Sequence, residues 1–69
     1  MVKLHSTDYV IYDRANDHII RDFFSRDPII FGDKEEADEG CVGNEEVVSC
    51  TALPTHKQVE LLNFLKLEI

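Results

Sequence analysis

Two apolar runs separated by four polar residues constrain this chain more than any other feature. Asp8-Tyr9-Val10-Ile11-Tyr12-Asp13 is rich in β-branched and aromatic residues and is closed by turn formers, the pattern of a strand. Arg14-Ala15-Asn16-Asp17 follows, where Asn16 and Asp17 tolerate left-handed backbone or bond their own main chain. His18 to Phe24 then resumes the apolar pattern, so the spacing predicts a hairpin with a four-residue loop. Tyr9, Val10, Ile11 and Tyr12 are apolar on both alternating faces, so either a second molecule covers the face that the helices leave or the tyrosines sit at a rim.

Ser25-Arg26-Asp27-Pro28 is a turn, because Pro28 removes a donor and biases Asp27 to extended backbone. Ile29-Ile30-Phe31 reads as a short third strand ended by Gly32. Asp33-x-x-Glu36 resembles a capping box opening a helix from Lys34 to Glu39, with Gly40 placed to supply a left-handed C-terminal residue. After a turn at Gly43-Asn44, the run Glu45 to Ala52 reads as a fourth strand with Val48, Cys50 and Ala52 on one face. Thr55 pairs with Gln58 as a second capping box and opens a helix to about Leu67, with an apolar stripe of Val59, Leu62, Leu65 and Ile69 widened by Leu61 and Phe64.

The expected architecture is α+β: one domain over residues 1–69, a small antiparallel or mixed four-stranded sheet, and one short acidic helix and one C-terminal amphipathic helix packed on one face. A chain of 69 residues holds a single core. At this size the gain from apolar burial and the ordering entropy nearly cancel. Two helices on one face would also leave the other sheet face bare. A homodimer or a bound partner is therefore expected.

Charge narrows the partner. The net charge is −7, and the stretch Asp33 to Glu46 holds seven carboxylates (Asp33, Glu35, Glu36, Asp38, Glu39, Glu45 and Glu46) against Lys34 alone. The acidity is a patch, and the remainder is nearly neutral. Such a chain is not expected to bind nucleic acid directly, which needs clustered Lys and Arg, nor an anionic membrane surface. A basic protein face would be attracted. The bland alternative is a solvated, solubilising helix face. The apolar runs fall far short of the roughly 20 residues that cross a bilayer, and no basic start precedes an apolar stretch, so neither a membrane span nor a signal peptide is expected. Cys41 and Cys50 are too few for a disulfide framework, which suits a reducing, cytoplasmic setting.

The residues that could carry chemistry are sparse. The acids do not follow the alternating oxygen-ligand pattern of a calcium loop. Zinc needs clustered Cys and His, whereas the cysteines stand nine apart and His5, His18 and His56 are scattered. No metal or other cofactor is expected. Ser49, Cys50, Thr51 and His56 lie close in sequence, and a Cys50–His56 pair can be drawn as nucleophile and base. No glycine-rich oxyanion or phosphate loop accompanies it, so Cys50 reads as a small core residue, with a Cys41–Cys50 disulfide as the second choice. No catalytic residue is assigned.

The aromatics Tyr9, Tyr12, Phe23, Phe24, Phe31 and Phe64 are expected mostly in the core. Tyr9 and Tyr12 fall on opposite faces of one strand, so one should be exposed. An exposed tyrosine beside Arg14, Arg21 and Arg26 would have the chemistry of an interaction hot spot.

The run Tyr9-Val10-Ile11-Tyr12-Asp13 leading a hairpin, with Ile29-Ile30-Phe31-Gly32-Asp33-Lys34-Glu35-Glu36-Ala37 leading a strand into an acidic helix, resembles small accessory proteins of tailed bacteriophages. The resemblance implies a class whose members often bind and block a host enzyme or defence factor, in which case the chain would act in the host cytoplasm. The leading expectation is thus a non-catalytic protein-binding module, an inhibitor or adaptor that docks on a basic surface of a host protein. Its expected contact residues are Glu35, Glu36, Asp38, Glu39, Glu45, Glu46, Tyr9 and Tyr12. The alternatives are an acidic nucleic-acid mimic that blocks a DNA- or RNA-binding protein, a structural assembly protein, and a small metal-dependent enzyme.

Overall fold

A computed structural model describes residues 3–67. Strand β1 (Tyr9–Asp13) is followed by β2 (His18–Ile19), helix α1 (Lys34–Glu39), strand β3 (Glu45–Ser49), one 3-10 turn (Cys50–Ala52) and helix α2 (Thr55–Leu67). The strands form one antiparallel sheet in the order β2-β1-β3.

The hairpin forms as its residues dictate. Asp13 faces His18 across the β1–β2 pair, which leaves Arg14 to Asp17 as a four-residue loop. Asp17 takes the left-handed conformation at φ 56°, and the Asp13 carboxylate accepts from the backbone N and side-chain Nδ2 of Asn16. These side-chain bonds to local groups are why Asp and Asn are selected in such turns.

The sheet has three strands, which corrects the expected four. Beyond Ile19 the chain pairs only in fragments: Ile20 N donates to Ile11 O, Ile29 N to Ile20 O, and Phe31 exchanges both backbone bonds with Tyr9 at 2.7 Å. The Ile29-Ile30-Phe31 run thus touches the sheet through single bridges, Tyr9 to Phe31 and Arg21 to Pro28. Pro28 has no N–H to donate and Arg26 is left-handed at φ 66°, so no continuous ladder can run through this stretch.

The helices lie on opposite faces of the sheet, a second correction. Val10 and Tyr12 point to one side, where they cluster with Ile19, Cys50, Leu53 and Leu61 of α2, and where Leu4, Ile30 and Val48 pack against them. Ile11 points to the other side, toward α1, whose Ala37 is buried and whose C-terminal Gly40 lies against Ile11 and Phe31. A three-layer arrangement covers β1 twice over, and Val10, Ile11 and Tyr12 are all buried. Burying such side chains stabilises by about 1.5–3 kcal/mol each. The bare sheet face that argued for a second subunit does not exist.

Local details refine the rest. The Asp33 carboxylate accepts from Glu35 N at 3.0 Å and caps α1. Gly40 sits in the right-handed region at φ −89°, so its glycine is not there for backbone hand. Its reason is room, since a Cβ at that position would lie 3.1 Å from Ile11 Cδ1. Strand β3 stops at Ser49 because the chain coils into the 3-10 turn, which turns Cys50 inward and leaves Ala52 exposed. Among the described side chains of α2 only Leu61 is fully buried; Leu62, Phe64 and Leu65 are half-buried, Val59 is exposed, and Ile69 lies outside the described residues. Gln58 does not complete a capping box with Thr55: its side-chain amide donates to the carbonyls of Leu53 (2.8 Å) and Thr51 (3.2 Å), tying the 3-10 turn to the helix.

Candidate functional site

Among the described residues, the most exposed large apolar side chains stand together on the turn that follows β2. Phe23 is 79% and Phe24 90% exposed, and their rings meet edge to face with centroids 5.3 Å apart. Adjacent residues point opposite ways in a strand but can both point outward at a turn. A dense set of local bonds makes this a turn. Asp22 N donates to Asp27 O at 2.8 Å and Arg26 N to Asp22 O at 2.9 Å. The Asp22 carboxylate accepts from Phe24 N and Ser25 N, both at 2.9 Å, and Ser25 Oγ accepts from Asp27 N. The Ser25 and Phe24 amides hold the Asp22 carboxyl below its ordinary pKa. The Phe pair is therefore mounted on a turn braced by its own hydrogen bonds.

The loop is also tied to α2. Arg21 donates through Nη1 to Arg26 O (2.9 Å) and through Nη2 to Glu60 Oε1 (2.6 Å), and Lys57 Nζ reaches Glu60 Oε2 at 2.9 Å. The hydrogen bond from Lys57, and after it that from Arg21, lowers the Glu60 pKa against the opposing effect of burial. Arg21, Lys57 and Glu60 line an open groove of about 440 Å³, with His18, Ile19 and Ile20 completing the wall. Arg21 thus both lines the groove and braces the turn that carries the two rings.

The expected acidic contacts lie elsewhere. Glu35, Glu36, Asp38 and Glu39 are exposed on α1, and none forms an ion pair among the described residues. Glu45 is half-buried and accepts from Val42 N, while Glu46 is paired with Arg14 at 2.5 Å on the α2 face of the sheet. The patch therefore divides, with α1 free and Glu46 neutralised. Tyr9 is half-buried, and Tyr12 at 3% exposure belongs to the core. Only the Tyr12 hydroxyl meets a polar group, donating to Asp17 Oδ1, with the Arg14 guanidinium 5.5 Å from the ring centroid. No exposed tyrosine sits beside Arg21 and Arg26; phenylalanines do.

The nucleophile drawn from sequence is not assembled. Cys50 is fully buried, and burial pushes its thiol up to about 11, away from the thiolate that reacts. His56 Nε2 bonds to Asp17 Oδ2 at 2.7 Å instead. Both cysteines are free, so the alternative of a Cys41–Cys50 disulfide is not formed. Burial, then the nearby Asp38 and Glu45 carboxylates, also raise the Cys41 thiol. No described helix is long and apolar enough to cross a membrane.

Phe23 and Phe24 were missed because the apolar run His18 to Phe24 reads as one strand. The signal that could have found them is Asp22 followed closely by Ser25-Arg26-Asp27-Pro28, which places both rings inside the turn rather than before it. No family model, curated protein or solved structure matches the chain.

Proposed function

We propose that this chain is a non-catalytic protein-binding module, an inhibitor or adaptor that seats the Phe23–Phe24 tip in an apolar pocket of a basic partner protein. The observation that carries the reading is the display of two adjacent phenylalanines on a turn braced at Asp22 and tethered to α2 through Arg21. A solvent-facing turn gains nothing in the free molecule from such residues, whereas each ring contributes about 1.5–3 kcal/mol when buried. Because local hydrogen bonds already brace the backbone of the turn, the ordering cost on binding falls mainly on the two side chains. The carboxylates of α1 steer a cationic partner toward the module. The likeness to phage accessory proteins points the same way.

A nucleic-acid mimic receives less support. Helix α1 has six residues and is about 9 Å long, short against a track of phosphates, and Glu46 is neutralised by Arg14.

The test compares wild type with a Phe23→Ser/Phe24→Ser double variant in quantitative capture from an extract. The expected result is an unchanged melting temperature with loss of a partner that wild type retains. An identical set of captured proteins would remove the tip from the account.

A further inference from the structure

A second surface stands independently of the aromatic tip: the outer edge of β3. Tyr9 exchanges both backbone bonds with Phe31, and Ile11 O accepts from Ile20 N, so these residues turn their main-chain groups away from β3. By antiparallel alternation it is Val10 and Tyr12 that bond to β3, at Val48 and Glu46. The intervening residues of β3 then face outward. Val47 N–H and C=O, Glu45 C=O and Ser49 N–H are left along an edge with no partner among the described residues. The strand contains neither Pro nor Lys and no bulge interrupts its register; its charged residues, Glu45 and Glu46, guard the edge against an anionic strand and not against a cationic one.

Charge decides the occupant. Helix α1 packs against β1 and β3 on the Ile11 face, the side to which Val47 points, and it carries Glu35, Glu36, Asp38 and Glu39 against Lys34. A second copy added through its own β3 would bring two such helices together, and like charges oppose that pairing. An extended segment with Lys or Arg at alternate positions would set those cations beside α1 while its backbone pairs with Val47. We infer that the β3 edge accepts a cationic extended peptide segment of a partner protein by β-strand addition, with main-chain bonds at Val47 and Ser49 and Lys or Arg side chains facing α1.

The experiment uses the full chain and a synthetic peptide of alternating Lys and Val, with a Glu/Val peptide as control. Binding is followed by amide chemical shifts and hydrogen exchange. The Lys/Val peptide is expected to slow exchange at Val47 and Ser49 and to weaken with salt, and the Glu/Val peptide to do neither. Val47→Pro deletes an outward N–H that serves no internal ladder and should abolish binding in a folded protein. Should that variant not fold, Glu35→Gln/Glu36→Gln/Asp38→Asn/Glu39→Gln should weaken binding by about tenfold or more at low salt. Shifts confined to α1 with unchanged exchange at Val47 would overturn the proposal, since the contact would then be charge alone. Protection of Val47 that rises with protein concentration and needs no peptide would overturn it too, by assigning the edge to a second copy. The Phe23→Ser/Phe24→Ser variant should bind the peptide normally, so failure at the edge and failure at the tip are read separately.

Discussion

The two turns of the β2 side use the same local devices to opposite ends. Each has an aspartate accepting from backbone amides or a neighbouring amide side chain, Asp13 in the first and Asp22 in the second, and each has a non-glycine residue with positive φ, Asp17 and Arg26. The first turn spends its remaining groups inward: Asp17 receives the Tyr12 hydroxyl and pairs with His56 of α2. The second presents Phe23 and Phe24 to water, and its tether to α2 runs through Arg21 at its base. Matched backbone chemistry therefore says nothing about role. What separates a structural turn from a displayed one is where the side chains not needed for the turn are sent.

The severest trial of this contrast goes through the core. Leu61 is fully buried beside Tyr12 and Ile19, so Leu61→Ala should destabilise by about 2–5 kcal/mol in denaturant melts. Amide exchange should accelerate at Tyr12 and Ile20, whose N–H groups bond within the sheet, well before it changes at Phe24 and Ser25, which Asp22 holds locally. Equal acceleration would show the second turn to be no more self-contained than the first.

Asp17→Asn comes next. Hydrogen bonds from Tyr12 and then from His56 lower the Asp17 pKa. A depressed carboxyl contributes stability that is fully present above its unfolded value, near 4, and is lost as pH falls through the lower folded value. The variant should melt below wild type at neutral pH, and the gap should close on acidification below about pH 4. A gap that is independent of pH would mean the carboxylate charge plays no part. The smallest effect on stability belongs to the tip, where Phe23→Ser/Phe24→Ser should stay within about 0.5 kcal/mol of wild type, as surface substitutions usually do. A larger loss would make the rings structural and dissolve the comparison.

The first turn was legible because everything that makes it lies within a few residues: Asp13, Asn16 and Asp17 act on their own backbone, and the flanking strands keep a simple alternation. Both helices were legible from local signals, Lys34–Glu39 from the Asp33 cap and Thr55–Leu67 from Thr55 after Leu53-Pro54 and the apolar spacing behind it, although the Gln58 half of its capping box bonds elsewhere. The face each helix covers was not. Helix α1 buries Ala37 alone among acids, so its sequence carries almost no directional stripe, and its seat is decided by the approach of Gly40 to Ile11 across the fold. The third strand failed because an apolar triplet, Ile29-Ile30-Phe31, says how much a segment wants burial and not whether its neighbour still offers a ladder. Of the residues expected at the contact surface, the α1 acids are free, Glu46 is neutralised by Arg14 and Tyr12 belongs to the core. Each of those outcomes depends on a residue distant in sequence or on the burial of the strand as a whole.

Cys50 carries one more consequence. Its sulfur is sealed among Val10, Tyr12 and Leu61, whereas Cys41 is only half-buried near the end of α1. A thiol reagent will therefore consume Cys41 early and reach Cys50 only when the central layer parts. The lag between the first and second adducts, read by mass, times the cooperative opening of the native protein without any introduced label.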